Sequence, residues 1–308
     1  MFLFITVFTH SFAQNTKKMK EILQPYRFET KFVTLSDGDL AYSKEGNGKK
    51  VLLFVHGLSS NSDAWYRNIE MLKEDFTCYA IDLPGYGKSY LKADEFTPTY
   101  FAKVINEFAE KMNLKKFTLV GHSMGGQASI KFASLYPEKV KNLILVAPAG
   151  IEEFTPEEGN VMLMVTTKEG VKNTSDEQID NNYKINFYKM PLEAARMIED
   201  RKAIKNSSDF DTHAEAIVKS VKGMLDDKVA DELNAINKPT LLIFGANDML
   251  IPNRYFHPTM TIKDVAEKAK IFIKKSDLKI IDEAGHFLMF EKPKKVNDAI
   301  VSFMKKCR

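Results

Sequence analysis

The chain has 308 residues, 44% hydrophobic and 28% charged, which excludes a disordered polymer and a polytopic membrane protein and suits one large core carrying an insertion. Its 44 basic and 41 acidic residues nearly balance at a formal net charge of +3, and the lysines are interleaved with acids, which argues against nucleic acid as a partner. Two cysteines, Cys78 and Cys307, exclude a disulfide framework.

The first element is an apolar run from Phe2 to Phe8, followed by Ser11-Phe12-Ala13 before Gln14. Small residues three and one before the break suit signal peptidase, so residues 1–13 are expected to be an export signal and the protein periplasmic or secreted. The run has no Lys or Arg ahead of it; uncleaved, the protein would be cytoplasmic. It is shorter than the ~20 apolar residues that a bilayer span requires, so no stable membrane anchor is expected.

A Lys-rich leader, residues 14–27, precedes two short apolar segments, Phe28–Leu35 and Asp39–Lys44, which flank Ser36-Asp37-Gly38 and predict a hairpin. Val51–Val55 is continuously apolar, as a strand buried on both faces must be. There follow a helix over about 63–72, a strand at Phe76–Ile81, a helix at Thr99–Met112, a strand at Phe117–Val120, a helix at Met124–Tyr136 and a strand at Leu143–Val146. Strands at Thr240–Phe244 and Leu278–Ile281 and a final helix from about Pro293 close the series. Such alternation predicts an α/β fold with a doubly wound, mostly parallel sheet. Between Ala147 and Lys238 charged helical segments replace buried strands. The expected organisation is therefore a core in two parts, 14–147 and 239–308, interrupted by a helical lid over 148–238.

The strongest local pattern is Gly121-His122-Ser123-Met124-Gly125, a G-x-S-x-G that leaves a buried strand and opens a helix. Glycines two before and two after the serine permit a sharp turn, and the helix N-terminus favours a developing anion beside the serine Oγ. Ser123 is thus the candidate nucleophile. An oxyanion hole needs two backbone N–H donors. Met124 supplies one; the other is expected after Val51–Val55, at Leu58 in His56-Gly57-Leu58, with Ser59 as the alternative.

A base must come from the six histidines. His10 lies in the leader, His56 before the oxyanion loop, His122 inside the turn and His213 in the lid. His286 follows the last strand, at the edge where a doubly wound sheet places its site, and is the candidate base, with His257 as runner-up. The acid is expected past a strand between serine and base. Asp248 fits, just beyond Thr240–Phe244; Glu152 and Glu153 after Leu143–Val146 are the alternatives. No His/Cys/Asp/Glu cluster has zinc-like spacing, so neither metal nor other cofactor is required. Gly87-Lys88-Ser89 suggests a phosphate loop, but Asp82 stands where that motif needs Gly and would repel a polyphosphate.

From near Phe28 to the C-terminus the chain resembles the α/β-hydrolase family. It shares the serine turn, the order Ser, Asp, His, the lid placement, and Asp82-Leu83-Pro84-Gly85-Tyr86-Gly87-Lys88-Ser89, similar to the family's D-x-P-G-x-G-x-S turn. The resemblance implies an α/β-hydrolase fold with a helical cap and a serine hydrolase acting on a small-molecule ester, with C–C bond (vinylogous diketone) hydrolysis as the first alternative. Branches that open epoxides or displace halides carry Asp at the turn, where this chain has Ser123; perhydrolases and iminopeptidases rank lower, the latter for want of a G-G-S-W-G turn. A non-catalytic binding protein of this fold is the alternative of a different class. Met162, Met164 and Phe187 of the lid, with Trp65, are candidates for an acyl pocket.

Overall fold

Eight strands form one sheet in the order β1-β2-β4-β3-β5-β6-β7-β8, in a computed structural model that describes residues 17–307. The predicted export signal lies outside the described residues. β1 (Lys31–Thr34) and β2 (Asp39–Glu45) make the expected antiparallel hairpin, Thr34 facing Asp39, and β2 joins β4 (Phe76–Ile81) antiparallel. From there every pairing is parallel, through β3 (Lys50–Val55), β5 (Phe117–His122), β6 (Val140–Val146), β7 (Thr240–Gly245) and β8 (Ser276–Ile281).

Strand alternation explains the continuous apolar runs. Leu53 and Val55 of β3 point into one hydrophobic layer, and Leu52 and Phe54 into the other. Helices cover both faces: α2 (Tyr66–Leu72), α3 (Pro98–Lys111), α4 (Met124–Leu135), α10 (Ile262–Phe272), α11 (Leu288–Glu291) and α12 (Pro293–Lys306), besides the short N-terminal α1 (Met19–Ile22). After β3 the chain steps to β4 on one side and later returns to β5 on the other. That reversal opens a crevice at the carboxyl ends of β3 and β5, where such sheets bind ligands.

Some departures from expectation have local reasons. α3 begins at Pro98, because Thr97 caps it by accepting from the Tyr100 N–H and proline suits the first helical position. β8 begins at Ser276 rather than Leu278; as an edge strand with alternating burial it lacks the continuous apolar run that marks central strands. α10 is an element that apolar runs did not mark. Its signal is the Thr261/Asp264 capping box ahead of buried Val265, Ala266 and Ala269.

Between β6 and β7 the chain forms α5 (Pro156–Val165), α6 (Lys168–Lys172), α7 (Asp176–Lys184), α8 (Ala195–Ile204) and α9 (Phe210–Asp226). Thr155, Thr167 and Ser175 cap the first three through their side chains. Among the described residues no helix is long and apolar enough to cross a membrane.

Candidate active site

β5 delivers Ser123 at φ 52°, ψ −120°, and α4 starts at the next residue. A non-glycine residue pays about 1–3 kcal/mol for such a conformation. Surrounding bonds hold it: Ser123 N–H donates to Val146 O at 3.1 Å, and its carbonyl accepts from Gln127 and Ala149 N–H at 3.0 Å. The flanking glycines are a steric necessity. A Cβ at Gly121 would stand 2.4 Å from the Gly125 carbonyl oxygen, and one at Gly125 would stand 2.4 Å from that of His56.

His286 sits in the turn after β8 and Asp248 in the turn after β7, and both are buried. His286 Nδ1 lies 2.8 Å from Asp248 Oδ2, while Asp248 Oδ1 accepts from Leu250 N–H at 2.8 Å and Ile251 N–H at 3.0 Å. With a carboxylate oxygen accepting, Nδ1 is the donor, and in the neutral form of the ring that tautomer leaves the lone pair on Nε2. Ser123, His286 and Leu58 line one cavity of about 670 Å³, within the usual size of small-molecule sites. Among the described residues no hydrogen bond joins Ser123 to His286; such contacts commonly tighten only when substrate binds.

The remaining histidines among the described residues have other attachments. His56 Nε2 accepts from Leu83 N–H at 2.9 Å, so its Nδ1 donates to the Gly57 carbonyl at 2.7 Å. Burial lowers its pKa and keeps the ring neutral. Because the peptide is trans, fixing the Gly57 carbonyl also fixes the opposed Leu58 N–H. The loop runs close to the serine: a Cβ at Gly57 would stand 3.0 Å from Ser123 Cβ. Ser59, the alternative donor, lines two neighbouring cavities instead. His122 packs on Trp65, His286 and Phe287, and its Nε2 donates to the His286 carbonyl at 3.0 Å. Burial first, then the neighbouring His286, holds its pKa well below the usual range. His213, on α9, bonds Gly85 O through Nδ1 at 2.8 Å.

His257 and Glu152, the runner-up base and an alternative acid, are paired with each other at 2.5 Å and not with His286. Glu152 accepts from Asn253 N–H as well, and burial raises its pKa. Glu153 bonds Lys268. Of the four acyl-pocket candidates, Met162 alone lines the cavity. Trp65 is fully buried beside Phe54 and His122, Phe187 packs on Phe287 and Phe290, and Met164 is 69% exposed. Sequence reasoning missed Val221, Met224 and Leu225, which present one face of α9 to the cavity; their spacing of three and four residues was the available signal.

Comparison with known proteins gives the same architecture. The family model described as alpha/beta hydrolase fold matches residues 50–293. A monoacylglycerol lipase of Rattus norvegicus is 25% identical over 90% of this chain and 82% of its own. A 2-hydroxy-6-oxononadienedioate/2-hydroxy-6-oxononatrienedioate hydrolase of Pseudomonas putida is 26% identical over 89% of this chain and 96% of its own. Among solved structures, a probable hydrolytic enzyme from Pseudomonas aeruginosa PAO1 superposes with a TM-score of 0.82 at 21% identity, covering 94% of this chain and 98% of that one.

Proposed function

Since the chain belongs to the α/β-hydrolase fold family and is a hydrolase of that fold, we propose that it cleaves a small-molecule carboxylic ester through Ser123, His286 and Asp248. His286 Nε2 takes the Ser123 proton, and the alkoxide attacks the ester carbonyl. The N–H groups of Met124 and Leu58 hold the resulting oxyanion, each worth about 10²–10³ in rate. Collapse expels the alcohol, which receives the proton from His286, and water then releases the acid by the same steps in reverse order. Asp248 keeps Nδ1 protonated and stabilises the imidazolium that forms between.

The observation that carries this reading is the strained Ser123 in one cavity with a histidine whose Nδ1 is already committed to a buried carboxylate. The segment between β6 and β7 supplies much of that cavity's wall, including Met162, Asn182, Asn186 and Val221, and we assign it the part of a lid that selects the acyl or alcohol group. A second reading, hydrolysis of a C–C bond in a vinylogous diketone, is favoured by the Pseudomonas putida relative.

The test is turnover of p-nitrophenyl esters of graded chain length beside a vinylogous diketone, by the wild type and by Ser123→Ala. Ester turnover that vanishes in Ser123→Ala is expected. Diketone cleavage without ester turnover would replace the first reading by the second. Neither activity from the folded protein would leave a binding role.

A further inference from the structure

The N-terminal leader is outside the matched family region, yet it is bonded both beside the oxyanion loop and to the insertion. Its far end reaches Asp82, which is fully buried just past β4. Among the described residues no basic side chain pairs with this carboxylate. Three donors satisfy it instead: Ser62 N–H on Oδ1 at 2.7 Å, and Lys88 N–H at 2.7 Å and Tyr26 O–H at 2.9 Å on Oδ2. Ser62 opens the short turn (Ser62–Trp65) that ends the oxyanion loop. The neighbouring Arg27 N–H donates to Asp63 at 2.8 Å in that same turn. Tyr26 is therefore the leader's grip on the segment that carries Leu58. Burial, then the Asp82 charge, push the phenol well above its ordinary range, so it remains a donor.

The leader's near end is fastened to the insertion. Met19 N–H donates to Asp209 at 2.7 Å and Gln24 N–H to Asp200 at 3.2 Å, and Arg196 bonds the Pro25 carbonyl. Met19 and Leu23 pack in a small apolar cluster with Ile204 of α8 and Phe210 of α9.

We propose that residues 17–27 form a strap that couples helices α8 and α9 to the oxyanion loop, with Tyr26 as a positioning residue for the Leu58 donor. The strap makes no contact with the reacting atoms; it acts through Asp82 and the Ser62 turn. This rests on the acyl-transfer reading of Ser123. A loosened loop costs stabilisation of the tetrahedral oxyanion and leaves ground-state binding unchanged, so the loss falls on kcat rather than KM.

The experiment uses the full chain with Tyr26→Phe, Leu23→Ala and the double variant, reading kcat and KM on an ester the wild type hydrolyses and the Ki of phenylboronic acid, which forms a tetrahedral anion on an active serine. Tyr26→Phe loses one hydrogen bond to a charged group, so kcat should fall about tenfold and Ki rise by a similar factor. KM should stay within about twofold. Leu23→Ala, in the apolar cluster that joins the leader to α8 and α9, should move kcat and Ki in the same direction, and the double variant should fall no further than the deeper single. Unchanged kcat and Ki in both folded singles, even with a lower Tm, would make the leader merely structural and overturn the coupling. Losses that multiply in the double variant would also overturn it. A wild type that neither turns over esters nor binds phenylboronic acid would instead sink the acyl-transfer reading, and this inference with it.

Discussion

The sheet and the insertion are built by different physics. β3, β5 and β7 are buried along nearly their whole length, and the residues at their carboxyl ends are held by backbone bonds and steric limits at Gly121 and Gly125. In the insertion, α5 buries only Gly159, α7 only Ile179 and α6 nothing. Partly exposed pairs such as Lys172–Asp211 and Lys202–Asp180 link its helices, and pairs of this kind contribute about 0–1 kcal/mol each. α8 buries three residues, and α9 buries seven, which dock it on the core. The proposed reacting groups sit where the backbone is over-determined, and much of the wall proposed to select substrate sits where it is not. Changes in the first region should therefore cost rate, and changes in the second should redistribute substrates.

The largest effect expected is from Ser123→Ala, which should lower kcat by about 10⁶ on any ester the protein accepts; steady-state assays with the variant freed of wild-type contamination check this. Next, Asp248→Asn should lower kcat by about 10⁴, because the amide favours the wrong imidazole tautomer, whereas Glu152→Gln should cost less than about tenfold, its carboxylate being bound to Asn253 and His257. The reverse order would move the acid to the turn after β6.

The seam between the two regions should respond to acid. His213 on α9 bonds the Gly85 carbonyl of the core, and burial lowers its pKa to about 4 from an ordinary 6.5. Between those values the unfolded chain takes up a proton that the folded chain refuses. Stability is therefore intact above about pH 6.5 and is lost as pH falls toward about 4, by roughly 3 kcal/mol. Melting curves across that range should show the loss, and His213→Gln, which keeps a donor for Gly85, should remove its share, leaving the part owed to the buried His56 and His122. The smallest effects belong to the insertion. Met162→Ala should shift the preferred acyl length with a change of about tenfold or less in kcat/KM on any one ester, while Met164→Ala, exposed to solvent, should alter stability by no more than about 0.5 kcal/mol. A large rate loss from either would erase the contrast between the regions.

What could be read from the chain alone follows the same division. The serine turn was legible because its glycines answer to local sterics, and the central strands because burial on both faces demands unbroken apolar runs. Asp248 was legible as a residue just past such a strand, and His286 as the histidine that follows the last strand. The edge strand β8 and helix α10 were clipped or missed, since their signals are alternation and a capping box rather than a run. Trp65 and Phe187 were misplaced for a tertiary reason: an aromatic side chain near a site is as readily core as wall, and the packing of Phe54 and Phe287 decides it. The bonds from Tyr26 to Asp82 and from Asp209 to Met19 span 56 and 190 residues, separations at which no local pattern speaks.

The central claim is that one serine hydroxyl is made nucleophilic by its setting. Intact-protein and peptide mass spectrometry after treatment with a fluorophosphonate tests it most directly. A single adduct on the peptide containing Ser123, absent from Ser123→Ala and much slower to form in His286→Ala, is the expected result. A folded protein that stays unmodified, or carries its adduct on another serine, would contradict the account.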